Sequence, residues 1–379
     1  MTGSVGLYVH LPFCERKCAY CDFNSYAGLE SLFGPYVDAL VREMEQAGSA
    51  RVRTIYLGGG TPTVLPVPYI GRVLAGARSA FEVDADAEVS LEANPGSVDE
   101  ARLADLRALG VNRLSLGVQS LHDDELRLLG RIHDRAGAMD AVRLARAAGF
   151  RNLNLDLIFG LPGQTLAAWR STLDQALEQE PDHLSLYALT VEEGTPLAGS
   201  VAAGRLPEPD PDLAAGMYEL AEERLAAAGY EHYEISNWAR PGYRCRHNLI
   251  YWHNEPYLGV GAGAHSWAHG RRRANVAWPA EYVRRVQAGE STVETEEEIG
   301  PTLEMGETMM MGLRLLEEGV SFARFEERLE VDLRQRYARQ IAELAERGLI
   351  LVSTNRITLS PRGRLLGNRV FMEFLPDED

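Results

Sequence analysis

Short apolar runs recur through the first two thirds of the chain, each followed by a longer stretch with helical spacing. The strand-like runs are GLYVHLPF (6–13), RTIYLGG (53–59), AEVSLEAN (87–94), RLSLGVQS (113–120), NLNLDLIFG (152–160) and HLSLYALT (183–190). Between them, PYVDALVREMEQAG (35–48), ARLADLRALG (101–110), AMDAVRLARAAG (138–149) and WRSTLDQALEQ (169–179) repeat apolar residues at helical intervals. Several of these stretches end in glycine, which suits the left-handed position that closes a helix. Strand followed by helix, six times over, predicts a parallel sheet with helices outside it. Six units are too few to close an eight-stranded barrel, so an open three-quarter barrel is expected. Its working face would lie at the C-terminal ends of the strands. Cys14, Gly58, Glu92, Gln119 and Asp156 all fall at or just beyond such an end.

The pattern changes after about residue 235. Residues 236–270 read as a loop rich in aromatics, His and Gly, and the acidic run ETEEEIG (294–300) as a solvated helix end or linker. The last 80 or so residues read as two helices, a β-ribbon (GLILVSTNRITLSPRG, 348–363) and a final helix, the order of a winged-helix module. Three regions are therefore expected: 1–235, 236–300 and 301–379. The methionine run EMGETMMMGLRL (304–315) could supply thioether ligands, but it reads first as the apolar face of a helix, since Met fills irregular gaps in a core.

Composition narrows the function classes. Of 379 residues, 45% are apolar and 25% charged, a mix that supports a sizeable core. The formal charge of −17 opposes non-specific binding to nucleic acid, whose phosphates need a basic surface. The winged-helix-like end is thus expected to be a lid or partner surface, not a DNA reader. The same charge opposes electrostatic docking on an anionic membrane. No apolar run approaches the roughly 18 residues of a membrane span, and MTGSVGLYVHLPF lacks the basic leader of a secretion signal. Four cysteines, three of them clustered, do not suit a disulfide framework, so a cytoplasmic location with reduced thiols is expected.

The cluster is CERKCAYCDF (14–23), with Cys14, Cys18 and Cys21 directly after the first strand. Structural zinc would want a fourth ligand. A [4Fe–4S] cluster on three cysteines leaves one iron open, and a molecule with an amine and a carboxylate could chelate it. The alternative is zinc completed by the distant Cys245 or by a His. The CxxxCxxC spacing, with Tyr20 before the last cysteine, resembles the signature of the radical S-adenosylmethionine (SAM) superfamily. That resemblance implies a partial (β/α)6 barrel of the radical SAM type, here with a C-terminal winged-helix-like α+β domain. It also implies a [4Fe–4S] cluster on the three cysteines, with SAM on the open iron.

GGGTP (58–62) resembles the glycine-rich segment whose backbone meets the SAM amino group in that superfamily, which brings in Gly58, Gly59, Gly60 and Thr61. YVHLPFC, GGGTPT, LEANP, GVQS, LLGRIH and LDLIFGLPGQT resemble, in order, segments of the oxygen-independent coproporphyrinogen oxidase-like group. Carried over by position, the resemblance implies cofactor contacts from Tyr8, near the sulfonium, and from Tyr20. It further implies that Glu92, Gln119, Arg131 and Asp156 meet the amino-acid part or the ribose of SAM. An arginine can hold a carboxylate through paired hydrogen bonds, and a carboxylate can accept from ribose hydroxyls.

One position departs from the oxidases of that group, which carry a further cysteine two residues after the third. Here it is Phe23. The departure points to the haem-chaperone branch. HNLIYW (247–252) resembles the HNxxYW pattern associated with haem in that branch, which implies haem near His247, Asn248, Tyr251 and Trp252. A neutral imidazole is a standard axial ligand, and Tyr and Trp offer flat faces to a macrocycle. His247 is the expected iron ligand, with Cys245, His253 and His265 as further candidates for the second axial position. The same stretch could instead help to close the SAM pocket. The expected function is haem binding and transfer to acceptor haemoproteins; the alternative is an oxygen-independent coproporphyrinogen III oxidase. Haem and acceptor haemoproteins are the expected partners, and nucleic acid is not. Transient membrane association and a homodimer are left open, and no residue is assigned to catalysis.

Overall fold

A computed structural model of the protein describes residues 4–376. Six parallel strands pair in chain order: β1 (Ser4–Leu11), β2 (Arg51–Gly59), β3 (Glu82–Ala93), β4 (Arg113–Gln119), β5 (Leu153–Phe159) and β6 (His183–Ala188). The returns are α1 (Phe33–Gln46), α2 (Val67–Ala80), α3 (Glu100–Ala108), α4 (Asp123–Leu129), α5 (Arg135–Ala147) and α6 (Leu166–Glu178). Local chemistry starts several of these helices. The side chains of Asp99, Asp134 and Thr165 accept from the backbone N–H groups of Arg102, Gly137 and Ala168, satisfying donors that a helix start leaves free.

Alternation along the strands divides two environments. Leu114, Leu116 and Val118 of β4, like Leu153, Leu155 and Leu157 of β5, join the helix side chains in one core. The intervening positions, Arg113, Ser115, Gly117 and Gln119 on β4 and Asn154 and Asp156 on β5, line a central cavity. The barrel does not close. At the β6 edge, after α7 (Pro196–Ala202) and α8 (Pro211–Ala227), the strands β7 (Glu231–Glu234) and β8 (Asn237–Ala239) continue the sheet in antiparallel fashion. Helix α9 (Arg246–Trp252) then crosses to the other edge. There β9 (Tyr257–Val260) pairs in parallel with β1, followed by the antiparallel strands β10 (His265–Ala268), β11 (Arg271–Asn275) and β12 (Val293–Glu298), with α10 (Pro279–Ala288) between the last two. The result is a twelve-stranded sheet.

This extension corrects two expectations. Residues 236–270 contain β8, α9, β9 and β10 and are not an irregular loop. The acidic run is the outer strand β12. Its register faces Arg271, Arg272 and Arg273 with Glu298, Glu297 and Glu296, and the Glu296 carboxylate lies 2.6 Å from Arg271 and 3.1 Å from Arg273. Opposite charges across a strand pair favour this ladder, and charged residues on the free edge discourage further pairing.

The C-terminal region has its own core, from Met305 to Phe374. It comprises α11 (Pro301–Gly312), β13 (Val320–Ser321), α12 (Phe322–Leu329), α13 (Leu333–Arg336), α14 (Ala338–Glu346), β14 (Ile350–Val352), β15 (Arg356–Leu359), α15 (Pro361–Leu365) and α16 (Gly367–Met372). The three strands form a separate antiparallel sheet in the order β13-β15-β14, so helices followed by a wing-like ribbon are present as expected. Among the described residues no helix is long and apolar enough to cross a membrane.

Beside the β9–β1 pairing, one buried carboxylate ties several parts of the extension to the barrel. Glu43 of α1 accepts from Gly261 N at 2.7 Å, Asn275 Nδ2 at 2.6 Å, the Tyr282 hydroxyl at 2.6 Å and Thr292 Oγ1 at 3.1 Å. Burial raises its pKa, and these donors pull it back towards the ionised form. Glu43→Ala would leave all four donors without their acceptor. The expected outcome is a loss of roughly 3 kcal/mol in urea unfolding, with limited proteolysis cutting first within residues 255–300. A variant with the wild-type unfolding midpoint would refute the clamp.

Candidate functional site

The cysteine segment has no regular secondary structure, so its shape comes from what grips it. At its base Cys14 N donates to Tyr26 O (2.8 Å) and Tyr26 N to Pro12 O (2.7 Å). Farther out, Ala19 N donates to Leu129 O, Leu197 N to Ala19 O, and Arg16 to the carbonyls of Gly130 and Arg131. His10, buried at the end of β1, holds the returning strand with Nε2 2.8 Å from Asn24 O. The turn after β2 seals the inner side, where Gly60 N donates to Leu11 O and Thr61 N to Phe13 O. Glycine is required there. A Cβ on Gly60 would come within 2.5 Å of Phe13 O, and one on Gly59, whose φ is +109°, within 2.4 Å of the His10 ring.

Cys18 and Cys21 face a cavity of about 360 Å³ at the C-terminal ends of the strands. Cys14 stands behind them, its thiol 3.7 Å from Thr61 Oγ1. Burial pushes the Cys14 and Cys21 thiols up, so both stay protonated until a metal replaces the proton. Arg131 reaches back to this group, with Nη1 3.3 Å from Cys18 Sγ and Nη2 donating to Gly117 O at 2.5 Å. Tyr20, Gly59, Gly60, Thr61, Glu92, Gln119, Arg131 and Asp156 all line the cavity. Tyr8 and Gly58 do not. The Tyr8 hydroxyl lies 2.9 Å from His10 Nδ1, and Gly58 packs against Tyr56 and Glu92.

The carboxylates are held in place. Glu92 accepts from the Tyr56 hydroxyl at 2.7 Å and from Gly59 N at 3.1 Å, and burial raises its pKa to about 7. Asp156 accepts from Ser115 Oγ at 3.0 Å and Asn154 Nδ2 at 2.7 Å, and burial raises its pKa too. Gln119 closes β4 with φ +69°, a backbone state that a non-glycine residue adopts at a cost and that concentrates at functional sites.

His247 is buried and hydrogen-bonded at both ring nitrogens. It is 1% exposed, with Nδ1 2.8 Å from Thr54 Oγ1 and Nε2 2.9 Å from the Tyr251 hydroxyl, and its ring stacks on Tyr56. Burial lowers its pKa to about 3, so it is neutral, but both nitrogens are engaged within the protein. Axial ligation by His247 would have to replace one of those bonds. Asn248 lines the cysteine-side cavity instead, while Trp252 borders two other cavities. Cys245 is fully buried with its thiol 3.6 Å from Glu88 Oε1, and His253 Nε2 sits 3.0 Å from Glu318. His265 is exposed at the start of β10.

Known proteins resemble this arrangement from end to end. The radical SAM superfamily profile matches residues 8–176, and that of the HemN C-terminal domain matches residues 301–366. Heme chaperone HemW of Bacillus subtilis is 38% identical, over 97% of this chain and 98% of its own. Heme chaperone HemW of Escherichia coli is 45% identical over 69% of each chain. The chain belongs to the HemW family. Among solved structures, coproporphyrinogen III oxidase (HemN) of E. coli, a radical SAM enzyme, superposes with a TM-score of 0.85 at 26% identity, covering 98% of this chain and 90% of that one.

The residues present fit the cluster and SAM that membership of this family implies. Three thiols share one loop, and two of them open onto a cavity large enough for a small molecule. Cys245, the fourth ligand of the zinc alternative, is engaged with Glu88 at the start of α9. Sequence reasoning missed Arg113, Ser115, Asn154, Ser185 and Tyr187, all in the cavity lining. Arg113 is 2% exposed, and its Nε has no hydrogen-bond partner. The missed signal was the every-second-residue polarity inside RLSLGVQS, NLNLDLIFG and HLSLYALT.

Glu92 makes stability depend on pH. Its folded pKa of about 7 lies above the usual 4.5, so the folded chain binds the extra proton between these values. The stabilisation is complete below pH ~4.5 and is lost as pH rises through ~7, by at most about 3 kcal/mol. The cofactor-free chain is expected to show a falling urea midpoint from pH 5 to 8, with a smaller fall in Glu92→Gln. Equal slopes in the two proteins would show that Glu92 is not the titrating group.

Proposed function

We propose that the protein is a haem chaperone, carrying a [4Fe–4S] cluster on Cys14, Cys18 and Cys21 with SAM on the open iron, and passing haem to acceptor haemoproteins. The observation that carries this reading is the three-thiol loop at a polar cavity, with Phe23 at the position where the oxidases have a further cysteine. The Phe23 side chain is 65% exposed and lines the mouth of the same cavity. End-to-end similarity to heme chaperone HemW of B. subtilis supports it.

In this reading each residue has a definite task. The backbone at Gly59 and Gly60 and the Glu92 carboxylate take the SAM ammonium. Arg131 divides its guanidinium between the Cys18 sulfur and the SAM carboxylate, and Asp156, fixed by Ser115 and Asn154, accepts from the ribose. The cluster and SAM together would supply one-electron and radical chemistry, while the protein supplies orientation and exclusion of water. The proposed location is the cytoplasm, where the thiols remain reduced. A homodimer belongs to the same proposal and is open to sedimentation.

The structural likeness to HemN favours a second reading, oxidation of coproporphyrinogen III. One set of assays separates the two. Anaerobic reconstitution is expected to give a brown protein with about four irons per chain, lost in Cys21→Ser. The wild type is expected to bind hemin and release it to an apo-haemoprotein. With reductant, SAM and coproporphyrinogen III it is expected to form no protoporphyrinogen. Product in that last assay, or failure of haem transfer, would overturn the chaperone reading.

A further inference from the structure

We propose that the floor of the barrel cavity is a second small-molecule site, in which the guanidinium of Arg113 holds the carboxylate of a short, polar monocarboxylic acid beneath the seat of SAM. The proposal takes the SAM seat from the reading above, needs no haem, and adds a ligand that neither the cluster nor SAM accounts for.

Depth separates the two sites. Arg113 opens β4 and Gln119 closes it, so Arg113 lies six residues, roughly 20 Å, below the rim that Cys18 and Cys21 share. The cavity follows the strand the whole way, with Arg113, Ser115, Gly117 and Gln119 all in its lining. Strand pairing sets Arg113 opposite Ser90 of β3, and Ser115 opposite Asn154 of β5. Arg131, which the reading above gives to the SAM carboxylate, stands at the top with Nη1 3.3 Å from Cys18 Sγ. One amino-acid carboxylate cannot meet both arginines.

Arg113 lacks the partner that a buried arginine ordinarily has. It is 2% exposed, its Nε has no hydrogen-bond partner, and among the described residues it forms no ion pair. Burial works against its charge, and the titratable groups whose charge would favour it are Cys245, Glu88, Tyr56 and Tyr233. Burial holds the Cys245 thiol up at about 12 and both tyrosines well above their ordinary range, so these three are neutral at pH 7. Of the four, only Glu88 offers a counter-charge there, and its oxygens already accept from Arg246 N at 3.0 Å and His247 N at 3.1 Å. A cation out of water without a bonded anion is costly, and the cavity is where an anion can reach it.

The walls define the class of anion. A guanidinium presents parallel N–H groups in a planar fork that matches a carboxylate. Glu92 and Asp156 line the same cavity, so one negative charge is balanced by Arg113 and a second would be repelled. Ser115, Asn154, Ser185 and Asn248 surround the floor with hydroxyl and amide groups, which suit a polar remainder.

Glycolate titration of the full-length protein carrying its reconstituted cluster, followed by saturation-transfer NMR, tests the proposal. The wild type is expected to bind glycolate at one site with millimolar affinity, and the uncharged glycolamide at least tenfold more weakly. Arg113→Lys keeps the charge without the planar fork and is expected to bind glycolate about tenfold more weakly. Ser185→Val narrows the same floor without touching a charge and is expected to weaken glycolate several-fold. Saturating glycolate is expected to change the dissociation constant of SAM by less than twofold. Wild-type affinity for glycolate in Arg113→Lys overturns the proposal; if that variant does not fold, wild-type affinity in Ser185→Val does so. Equal binding of glycolamide, displacement by an equal concentration of inorganic phosphate, or no glycolate binding at all also overturns it. Competition between glycolate and SAM would place the carboxylate at Arg131 and overturn it as well. A reconstituted protein that fails to bind SAM removes the SAM reading itself, which is a separate result.

Discussion

Two backbone hydrogen bonds, from Gly60 N to Leu11 O and from Thr61 N to Phe13 O, bring the turn after β2 against the start of the cysteine segment. A segment without helix or strand cannot hold three thiols in fixed relation by itself, because each free residue costs about 1–2 kcal/mol of conformational entropy to order. The barrel supplies the order from outside, through the β2 turn, the end of β1, α4 and the start of α7. The contact admits no Cβ at Gly60, so the glycine-rich turn shapes the cysteine loop and shares its cavity.

The barrel interior makes the second contribution. Its walls are polar, and burial raises the pKa of Glu92 and Asp156 and lowers that of His247 behind them, each held in a hydrogen-bonded pair or triad. Such groups keep fixed directions and meet a cationic ligand with little rearrangement. Glu88 extends this order to the HNLIYW helix. Its carboxylate accepts from Arg246 N and His247 N, occupying the N-terminal donors of α9. Direct contacts then run from Glu92 to Tyr56, to His247, to Tyr251 and to Tyr257, joining the wall of the cysteine-side cavity to a cleft at α11. The sheet extension is what makes that continuity available: β9 pairs with β1 and brings Tyr257 beside the motif helix, and Glu43 fixes the extension to α1.

Much of this was legible in the linear sequence, for local reasons. Cys14, Cys18, Cys21 and the GGGTP turn carry their meaning in short-range spacing, and six strand–helix repeats follow from periods of two and 3.6. What stayed hidden depends on partners distant in sequence. ETEEEIG reads as solvated charge until Arg271 and Arg273 are placed across from it. Arg113 and Asn154 look like ordinary strand polarity until the sheet curls and both face one cavity.

The HNLIYW segment marks the boundary most sharply. By itself the sequence determined that an imidazole, an amide and two aromatic rings share a short helix. Only the tertiary structure decided that the imidazole turns inward to Thr54 and Tyr251, that Asn248 faces the cysteine-side cavity, and that Trp252 borders a cleft with Met310 and Met311. Helical spacing fixes the angles between side chains about the helix axis. Which of them points to core, cavity or cleft depends on what packs around the helix, and that information lies elsewhere along the chain, in β2 on one side and α11 on the other.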